Sequence, residues 1–171
     1  MLSAAAPCRA TLRGVTLIEL IVAIGIVAIG LALAAPSLST MTASFRVRSS
    51  AESIVNGLSL ARAEAVRRNG SVSFNLVGAA TAWDVRDSAS AVLHARAAEE
   101  STGLTAASGN AATAVTFLPT GMVDTSGTWM TSITVSSAAA GAESRRIDIL
   151  GGGLVRMCDP SVATANDPRR C

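Results

Sequence analysis

Residues that could carry out catalysis are few in this chain of 171 residues. His94 is the single histidine, and Asp84 and Asp87 are acids near it in sequence. A serine nucleophile would need this histidine as its base, yet the chain has no Gly-x-Ser-x-Gly turn. The Gly151–Gly153 run lacks the lysine and hydroxyl of a phosphate-binding loop. We therefore expect no enzyme activity, no cofactor and no small-molecule substrate.

The three cysteines are the next candidates for chemistry. Cys8 lies in a basic N-terminal stretch, whereas Cys158 and Cys171 lie close together near the C-terminus. If Cys8 is removed, one even pair remains, and a disulfide is the default for such a pair in an exported domain. The alternative is two free thiols. Two cysteines and one distant histidine do not make a ligand set, so we expect no metal site.

The ionisable residue in the most unusual position is Glu19, which lies inside the apolar run 15–35. A helix of this length matches the hydrocarbon core of a bilayer, and an acid within such a helix is costly, so Glu19 indicates a function. Arg9 and Arg13 precede the run, and no arginine lies within it. The positive-inside rule then predicts a cytoplasmic N-terminus and an exported C-terminal part.

A small residue, Gly14, precedes the apolar run, whereas a secretory signal has its small-residue site after it. The stretch Gly14-Val15-Thr16-Leu17-Ile18-Glu19-Leu20 resembles the prepilin peptidase site of type IV pilins and type II secretion pseudopilins, with Val15 where phenylalanine is usual. The resemblance implies cleavage between Gly14 and Val15, loss of a leader 1–14 and methylation of the new N-terminus. On this interpretation Glu19 pairs with the amino group of a neighbouring subunit and sets the axial stagger. The alternative is an ordinary single-pass anchor with a stray acid.

Helical spacing continues through residues 37–69, so we expect one helix from Val15 to about Arg68, ended by Asn69-Gly70. Segment 15–35 is apolar all round, and segment 36–69 is amphipathic. Pro36 is expected to bend the helix, and it falls where pilins often carry a proline. Ser50, Glu52 and Ser53 are predicted to face solvent. The predicted packing face consists of Leu38, Met41, Phe45, Ile54, Leu58, Ala61 and Ala65.

Beyond Gly70 the apolar pattern changes to the alternation of strands, which predicts a β-rich exported domain over 70–171. We expect strands around 72–76, 83–85, 91–96, 114–118, 129–136, 145–150 and 153–158. Loops are predicted over Ser101–Thr113, Ser136–Ala142 and Ser161–Asn166. A long helix followed by antiparallel strands is an α+β arrangement, and the resemblance implies the same pilin-like fold.

A second motif lies within this domain. Val115-Thr116-Phe117-Leu118-Pro119-Thr120-Gly121 resembles the Phe-x-Pro-x-Gly turn of pseudopilins and minor pilins of the GspH/FimT/FimU group. The alternative is an ordinary strand that ends in a proline-glycine turn.

The C-terminal arginines form a possible nucleic-acid site. This end of the chain resembles FimT-type minor pilins, several of which bind DNA through a Gly-Arg-x-Arg motif. The matching stretch is Gly153-Leu154-Val155-Arg156, in which the second arginine is Arg156 and the first is replaced by Leu154. Arg169 and Arg170 would add sequence-independent, salt-sensitive phosphate contacts to duplex DNA. The alternative is that the three arginines are solvated or paired with Asp159 and Asp167.

Together these patterns predict a minor pilin or pseudopilin, a structural subunit of a type IV pilus or a type II secretion pseudopilus. Its expected partners are other pilins, prepilin peptidase and the inner membrane, in which it is single-pass with a periplasmic C-terminal domain. Without the leader the chain has twelve arginines and twelve acidic residues, so no uniformly basic surface is expected. Two alternatives remain: a DNA-binding FimT-type pilin for natural transformation, and an unrelated membrane-anchored periplasmic domain.

Overall fold

The structure is a computed structural model that describes residues 14–97 and 102–171. The predicted roles of Cys8, Arg9 and Arg13 therefore lie outside the described residues. The chain divides into two compact units, with the boundary between Ser37 and Leu38. One long helix, α1, runs from Leu17 to Arg68, which confirms the predicted helix to within two residues at its start.

In the N-terminal unit, α1 contains an apolar stretch, Leu17–Ala35, of 19 residues with a mean hydropathy of 2.7. This stretch is long and apolar enough to cross a membrane, and none of it is buried. A helix that is apolar on all sides is typical of a segment covered by lipid or by other helices, and this chain supplies no such cover for it.

In the C-terminal unit, α1 packs on the sheets through a face of mostly small and branched residues. Its buried residues recur every three or four positions: Ala43, Val47, Ala51, Ile54, Leu58, Ala61 and Ala65. The predicted face was right from Ile54 onward and wrong before it, because Leu38, Met41 and Phe45 are exposed. Ser50 is buried, contrary to the prediction, since it lies on the same side as Val47 and Ala51.

The end of α1 follows the predicted terminator. Asn69 has a positive φ of 49°, its amide donates to the Val66 carbonyl at 3.3 Å, and the Gly70 amide donates to the Ala65 carbonyl at 3.2 Å. These two bonds form a Schellman motif, which satisfies carbonyls that the last helical turn leaves unpaired.

Four strands make the first antiparallel sheet, in the spatial order β3-β2-β1-β5. They are β1 (Val72–Val77), β2 (Ala82–Asp87), β3 (Val92–Arg96) and β5 (Ala114–Phe117). All four were predicted. The sheet packs on α1 at Gly57, where a Cβ would lie 2.9 Å from Phe74 and 3.0 Å from Trp83. The indole nitrogen of Trp83 donates to the Ser53 hydroxyl of α1 at 3.3 Å.

The second antiparallel sheet has the order β4-β6-β7-β8. Its strands are β4 (Leu104–Ser108), β6 (Ser132–Ser137), β7 (Arg145–Ile149) and β8 (Val155–Cys158). The predicted loop Ser101–Thr113 is wrong, because it contains β4. In β4, Leu104 and Ala106 are buried at alternate positions, and Ala106 is small enough to weaken the sequence signal of a strand.

A single apolar core joins α1 to both sheets within the C-terminal unit. Its largest fully buried side chains include Phe74, Phe117, Ile54, Leu58 and Met130. The fold is thus α+β, as predicted: a helix packed on two antiparallel sheets.

Candidate assembly helix and C-terminal arginine surface

The N-terminus of α1 is capped by the residues of the predicted processing motif. Thr16 precedes the first helical residue, and its hydroxyl accepts a hydrogen bond from the Glu19 amide at 3.3 Å. The spacing Thr16-x-x-Glu19 is that of a capping box, and the bond to the Thr16 hydroxyl is the half of that motif made by the threonine. Sequence reasoning missed this role, although the Ser/Thr-x-x-Glu signal is visible in the sequence.

Gly14 and Val15, the predicted processing residues, lie before α1 and are exposed. Val15 is 70% exposed. A Cβ built on Gly14 would meet no atom within 4 Å, so packing does not explain why glycine stands there. The peptide bond between them therefore lies outside the helix, between two exposed residues.

The Phe-x-Pro-x-Gly stretch has a structural role at the surface of α1. Phe117 is fully buried, and the Gly121 amide donates to the Leu118 carbonyl at 2.8 Å to close the turn. Gly121 has a φ of 77°, which favours glycine. Its carbonyl accepts a hydrogen bond of 2.9 Å from the Arg62 guanidinium, so the turn is anchored directly to α1.

A second glycine turn crosses the first at this point. Gly153 lies in the turn between β7 and β8 with a φ of 80°, and a Cβ there would lie 2.0 Å from the Gly121 carbonyl oxygen. Only glycine allows this approach. The glycine of the Gly153–Arg156 stretch is therefore required by the fold, whether or not the stretch binds DNA. We call this contact between Gly121, Gly153 and Arg62 the glycine crossing.

The predicted disulfide is present between Cys158 and Cys171, whose Cα atoms are 5.0 Å apart. Cys158 is buried at the end of β8. Just beyond it, the Asp159 amide donates to the Arg169 carbonyl at 2.6 Å, and Asp159 forms a parallel bridge with Arg170. The chain end is thus held beside β8 by one covalent bond and by backbone pairing.

Arg156 lies on β8 opposite Asp148 on β7. The Arg156 guanidinium is 3.5 Å from the Asp148 carboxylate, and the side chain is 51% exposed. Arg146 donates to the same carboxylate at 2.7 Å and is 43% exposed. Arg146 and Asp148 lie on either side of the buried Ile147 along β7, so their side chains point to the outer face of the second sheet. Arg156, directly opposite Asp148, lies on the same face.

Arg169 occupies a different place. It donates to the Asp167 carboxylate at 2.8 and 3.1 Å, and these bonds lower the pKa of Asp167 to about 2. Arg169 also lines a pocket of about 250 Å³ together with Arg48 of α1 and Arg145 of β7. Arg145 has the same strand parity as the buried Ile147, so this pocket lies on the side of the sheet that faces α1.

The structure does not bring the three predicted DNA-binding arginines onto one face. Arg156 projects from the outer face, whereas Arg169 lies on the α1 side. The Arg170 side chain is exposed and forms no hydrogen bond or ion pair in the described part of the chain. Arg169 is paired with Asp167, as the alternative interpretation expected, but Arg156 is paired with Asp148.

Asp159 stabilises the base of the C-terminal loop. Its carboxylate accepts hydrogen bonds from the Ser161 hydroxyl at 2.6 Å and the Ser161 amide at 3.0 Å, and it is ion-paired with Arg145. Hydrogen bonding from Ser161 first, and the charge of Arg145 with it, lower the pKa of Asp159. Asp159, one of the two acids predicted as partners of these arginines, is therefore paired with Arg145 of β7 instead.

A helix with an exposed apolar first stretch, whose later residues pack on antiparallel sheets, defines the class of type IV pilin-like subunits. Comparison of the sequence with known families agrees: residues 50–153 match the family described as Type II transport protein GspH, and residues 11–35 match the prokaryotic N-terminal methylation motif. The chain belongs to the GspH family, which is one of structural pilins and pseudopilins. The alternative of an unrelated membrane-anchored domain is therefore wrong.

Two solved structures share the fold. The type IV minor pilin FimU of Pseudomonas aeruginosa is 21% identical with a TM-score of 0.55, and the match covers 70% of this chain and 92% of that chain. The minor pseudopilin EpsH from the type 2 secretion system of Vibrio cholerae is 14% identical with a TM-score of 0.53, covering 68% of this chain and 99% of that chain. The comparison with curated proteins found no match.

Proposed function

We propose that this protein is a minor pilin or pseudopilin that enters a type IV pilus or a type II secretion filament through its N-terminal helix. The observation that carries the proposal is the stretch Leu17–Ala35, which is apolar and wholly exposed. Such a surface needs a cover, first the bilayer and then the helices of neighbouring subunits. The proposed segments are a leader 1–14, a membrane or filament-core helix 15–35, an amphipathic helix 36–69 bent at Pro36, and an exported domain 70–171.

In this proposal prepilin peptidase cuts between Gly14 and Val15, and the new amino group lies one residue before the Thr16 cap. The amides of the first turn carry partial positive charge, which favours the Glu19 carboxylate there. Inside an apolar filament a carboxylate without a cationic partner is strongly penalised. Pairing of Glu19 with the amino group of a neighbouring subunit removes this penalty and fixes the axial position of one subunit against the next.

Two variants test processing and pairing separately. Gly14→Ala is expected to leave the leader attached, which mass measurement of the membrane-bound chain detects. Glu19→Gln keeps the capping box, because glutamine serves at this position as well as glutamate, but it removes the charge. It is expected to insert in the membrane normally and to enter filaments several-fold less. Normal entry of Glu19→Gln into filaments would refute charge pairing. If Glu19→Ala enters filaments poorly while Glu19→Gln enters normally, the role of Glu19 is capping of the helix.

Of the two machines, the C-terminal disulfide loop favours the pilus-associated FimT/FimU type. Deletion of the gene separates them: loss of surface pili supports the pilus, and loss of secreted enzymes with normal pili supports the secretion filament. The genes beside it, encoding other minor pilins or secretion components, give the same distinction.

Duplex DNA capture is the second candidate, and the exposure of Arg156 beside Arg146 favours it. DNA binding is measured with the full chain in detergent at increasing salt. Arg156→Ala is expected to lose affinity, and the Arg169→Ala/Arg170→Ala pair is expected to lose less, because Arg169 and Arg170 do not share the outer face with Arg156. Leu154→Arg adds a second exposed arginine two residues from Arg156, since Leu154 is 58% exposed. It is expected to strengthen binding. No binding by the native chain or by Leu154→Arg at low salt would exclude DNA capture through β8.

A further inference from the structure

The C-terminal unit contains a cavity beside its first helical turns. Its volume is about 420 Å³, and its lining includes Ser39, Thr42 and Arg46 of α1, Gly103 just before β4 and Ser137 at the end of β6. Among the described residues of this lining, Arg46 carries the single charge and none is an acid. We call this cavity the Arg46 pocket. Its lining therefore has a net positive charge.

Arg46 differs from the next arginine of α1 in its surroundings. Arg48 is ion-paired with Glu52 at 2.9 Å, whereas Arg46 is exposed and forms no ion pair or hydrogen bond within the part of the chain that the structure describes. The Ser137 hydroxyl accepts a hydrogen bond from the Ala139 amide at 3.2 Å, so its own proton is available for another acceptor. A guanidinium and a hydroxyl donor in one cavity suit an anion with several oxygens, such as a phosphate.

The pocket begins close to the stretch that a bilayer would cover. Ser39 follows the last residue of that stretch, Ala35, by four residues, which rise about 6 Å in an α-helix. The headgroup layer on each side of a bilayer is about 5–8 Å thick, since the hydrocarbon core is about 30 Å and the whole bilayer about 40–45 Å. The Cβ atoms of a helix tilt toward its N-terminus, which directs the Arg46 side chain toward this layer. By chain count the pocket therefore falls at the depth of the lipid phosphates.

Exposed apolar side chains continue from the pocket toward the apolar stretch. Leu38, Thr42 and Arg46 follow one another at intervals of four, so they form one row along α1. Leu38 is 66% exposed, and beside this row Met41 and Phe45 are 55% and 59% exposed, although the other two phenylalanines of the chain are fully buried. We call Leu38, Met41 and Phe45 the apolar stripe. A cation followed by apolar side chains on the side nearer the membrane segment matches the order of phosphate and acyl chains in a phospholipid.

We propose that the Arg46 pocket binds the phosphate of an anionic phospholipid whose acyl chains lie along the apolar stripe. Arg46 and Ser137 donate to the phosphate oxygens, and the lipid ties the start of the exported domain to the membrane surface before assembly. An anionic headgroup is favoured over a zwitterionic one, because the described lining offers no carboxylate to a choline or ethanolamine group. The inference rests on the proposed function, since it requires the apolar stretch to span a bilayer.

Lipid retention by the full chain tests the proposal. The chain is reconstituted in nanodiscs that contain equal amounts of phosphatidylglycerol and phosphatidylcholine with the same acyl chains. After extraction into detergent, native mass spectrometry counts the lipids that each copy of the chain keeps. The native chain is expected to keep phosphatidylglycerol several-fold more often than phosphatidylcholine. Equal retention of the two lipids would overturn the proposal.

The contribution of the pocket is tested with variants of two neighbouring arginines. Arg46→Gln is expected to lose the preference for phosphatidylglycerol, and Arg46→Lys to keep most of it, because lysine also binds phosphate as a point charge. Arg48→Gln is the matched control, since Arg48 lies two residues later, is exposed and does not line the pocket. Equal losses in Arg46→Gln and Arg48→Gln would reveal a general effect of surface charge and would contradict a site at Arg46.

The apolar stripe is tested by the same measurement. Leu38→Ser is expected to reduce retention several-fold, whereas Val66→Ser, near the other end of α1 and 53% exposed, is expected to leave it unchanged. Glycerol phosphate, which has the anion without acyl chains, is not expected to displace the lipid. Displacement by glycerol phosphate, or normal retention by Leu38→Ser, would show that a free phosphate is enough and would refute the lipid assignment. The substituted side chains are all exposed, so the thermal unfolding of the domain should not change.

Insertion into the nanodisc separates this inference from the proposed function. If the native chain inserts and shows no preference for phosphatidylglycerol, the lipid site is wrong and the subunit assignment stands. If the native chain does not insert into a bilayer, both are refuted.

Discussion

The glycine crossing yields a prediction whose size follows from the structure. Replacing Gly153 by alanine places a Cβ 2.0 Å from the Gly121 carbonyl oxygen at a position where φ is 80°. The left-handed conformation costs alanine about 1–2 kcal/mol. The oxygen must also retreat by about 1.5 Å to reach an ordinary contact distance near 3.5 Å. This retreat breaks its 2.9 Å hydrogen bond from Arg62, and a bond from a charged donor contributes about 1.5–3 kcal/mol.

Together these terms predict that Gly153→Ala lowers the free energy of unfolding by about 2.5–5 kcal/mol. Urea unfolding of residues 38–171, which contain the whole core, measures the loss as a shift of the midpoint by roughly 1–5 M at the usual slopes. Gly152→Ala is the matched control, because the neighbouring glycine has no positive φ and a Cβ there meets nothing within 4 Å. Equal midpoints for the two variants would refute the reasoning.

The Arg62 contribution is isolated by a double-mutant cycle. Arg62→Met removes the donor, so the same hydrogen bond cannot be lost a second time when Gly153→Ala is added. The two losses are therefore expected to be less than additive. Additive losses would show that the turn moves without disturbing Arg62.

Two further predictions concern α1. Gly57→Ala is expected to destabilise the domain despite the better helix propensity of alanine, because the new Cβ would lie 2.9 Å from Phe74 and 3.0 Å from Trp83. Asn56 is exposed one residue earlier, so Asn56→Ala is expected to stabilise the domain slightly. The thermal unfolding temperatures of the two variants test the difference. Glu64 accepts hydrogen bonds from Arg67 and Arg68, and these lower its pKa from 4.5 to about 2. The ionised pair therefore stabilises the fold above pH 4.5 and loses this effect as the pH falls toward 2. The midpoint difference between the native chain and Glu64→Gln should shrink over that range, and a constant difference would contradict the pairing.

The sequence predicted correctly those helices and strands whose local pattern of apolar residues matches the side that they bury in the folded domain. Strands such as β1 alternate cleanly, and Asn69-Gly70 ends α1 where the terminator rule places it. Periodicity failed near the start of the amphipathic segment, because both sides of α1 are apolar there. It favoured the bulky Met41 and Phe45, whereas the helix packs through Ala43 and Val47, since small residues allow closer approach to the sheets.

The candidate sites show the same division. The disulfide followed from counting cysteines in an exported chain, and the capping box was readable from Thr16-x-x-Glu19. The glycine crossing was not readable, because it depends on two turns 32 residues apart whose backbones meet only in the folded domain. The separation of Arg156 from Arg169 was likewise invisible, since sequence proximity to Cys158 and Cys171 does not say which face of the sheet each side chain occupies.

The C-terminal loop also determines which surfaces of the subunit can recruit other chains. β8 is the last strand of its sheet, and an outermost strand with free amides and carbonyls is a template for unwanted pairing with other proteins. The bond from the Asp159 amide to the Arg169 carbonyl, held by the disulfide, seals the end of this strand. The chain end thereby occupies the place beside Asp159 that an added strand would need, so the exposed edge of this sheet is limited to the four residues Val155–Cys158.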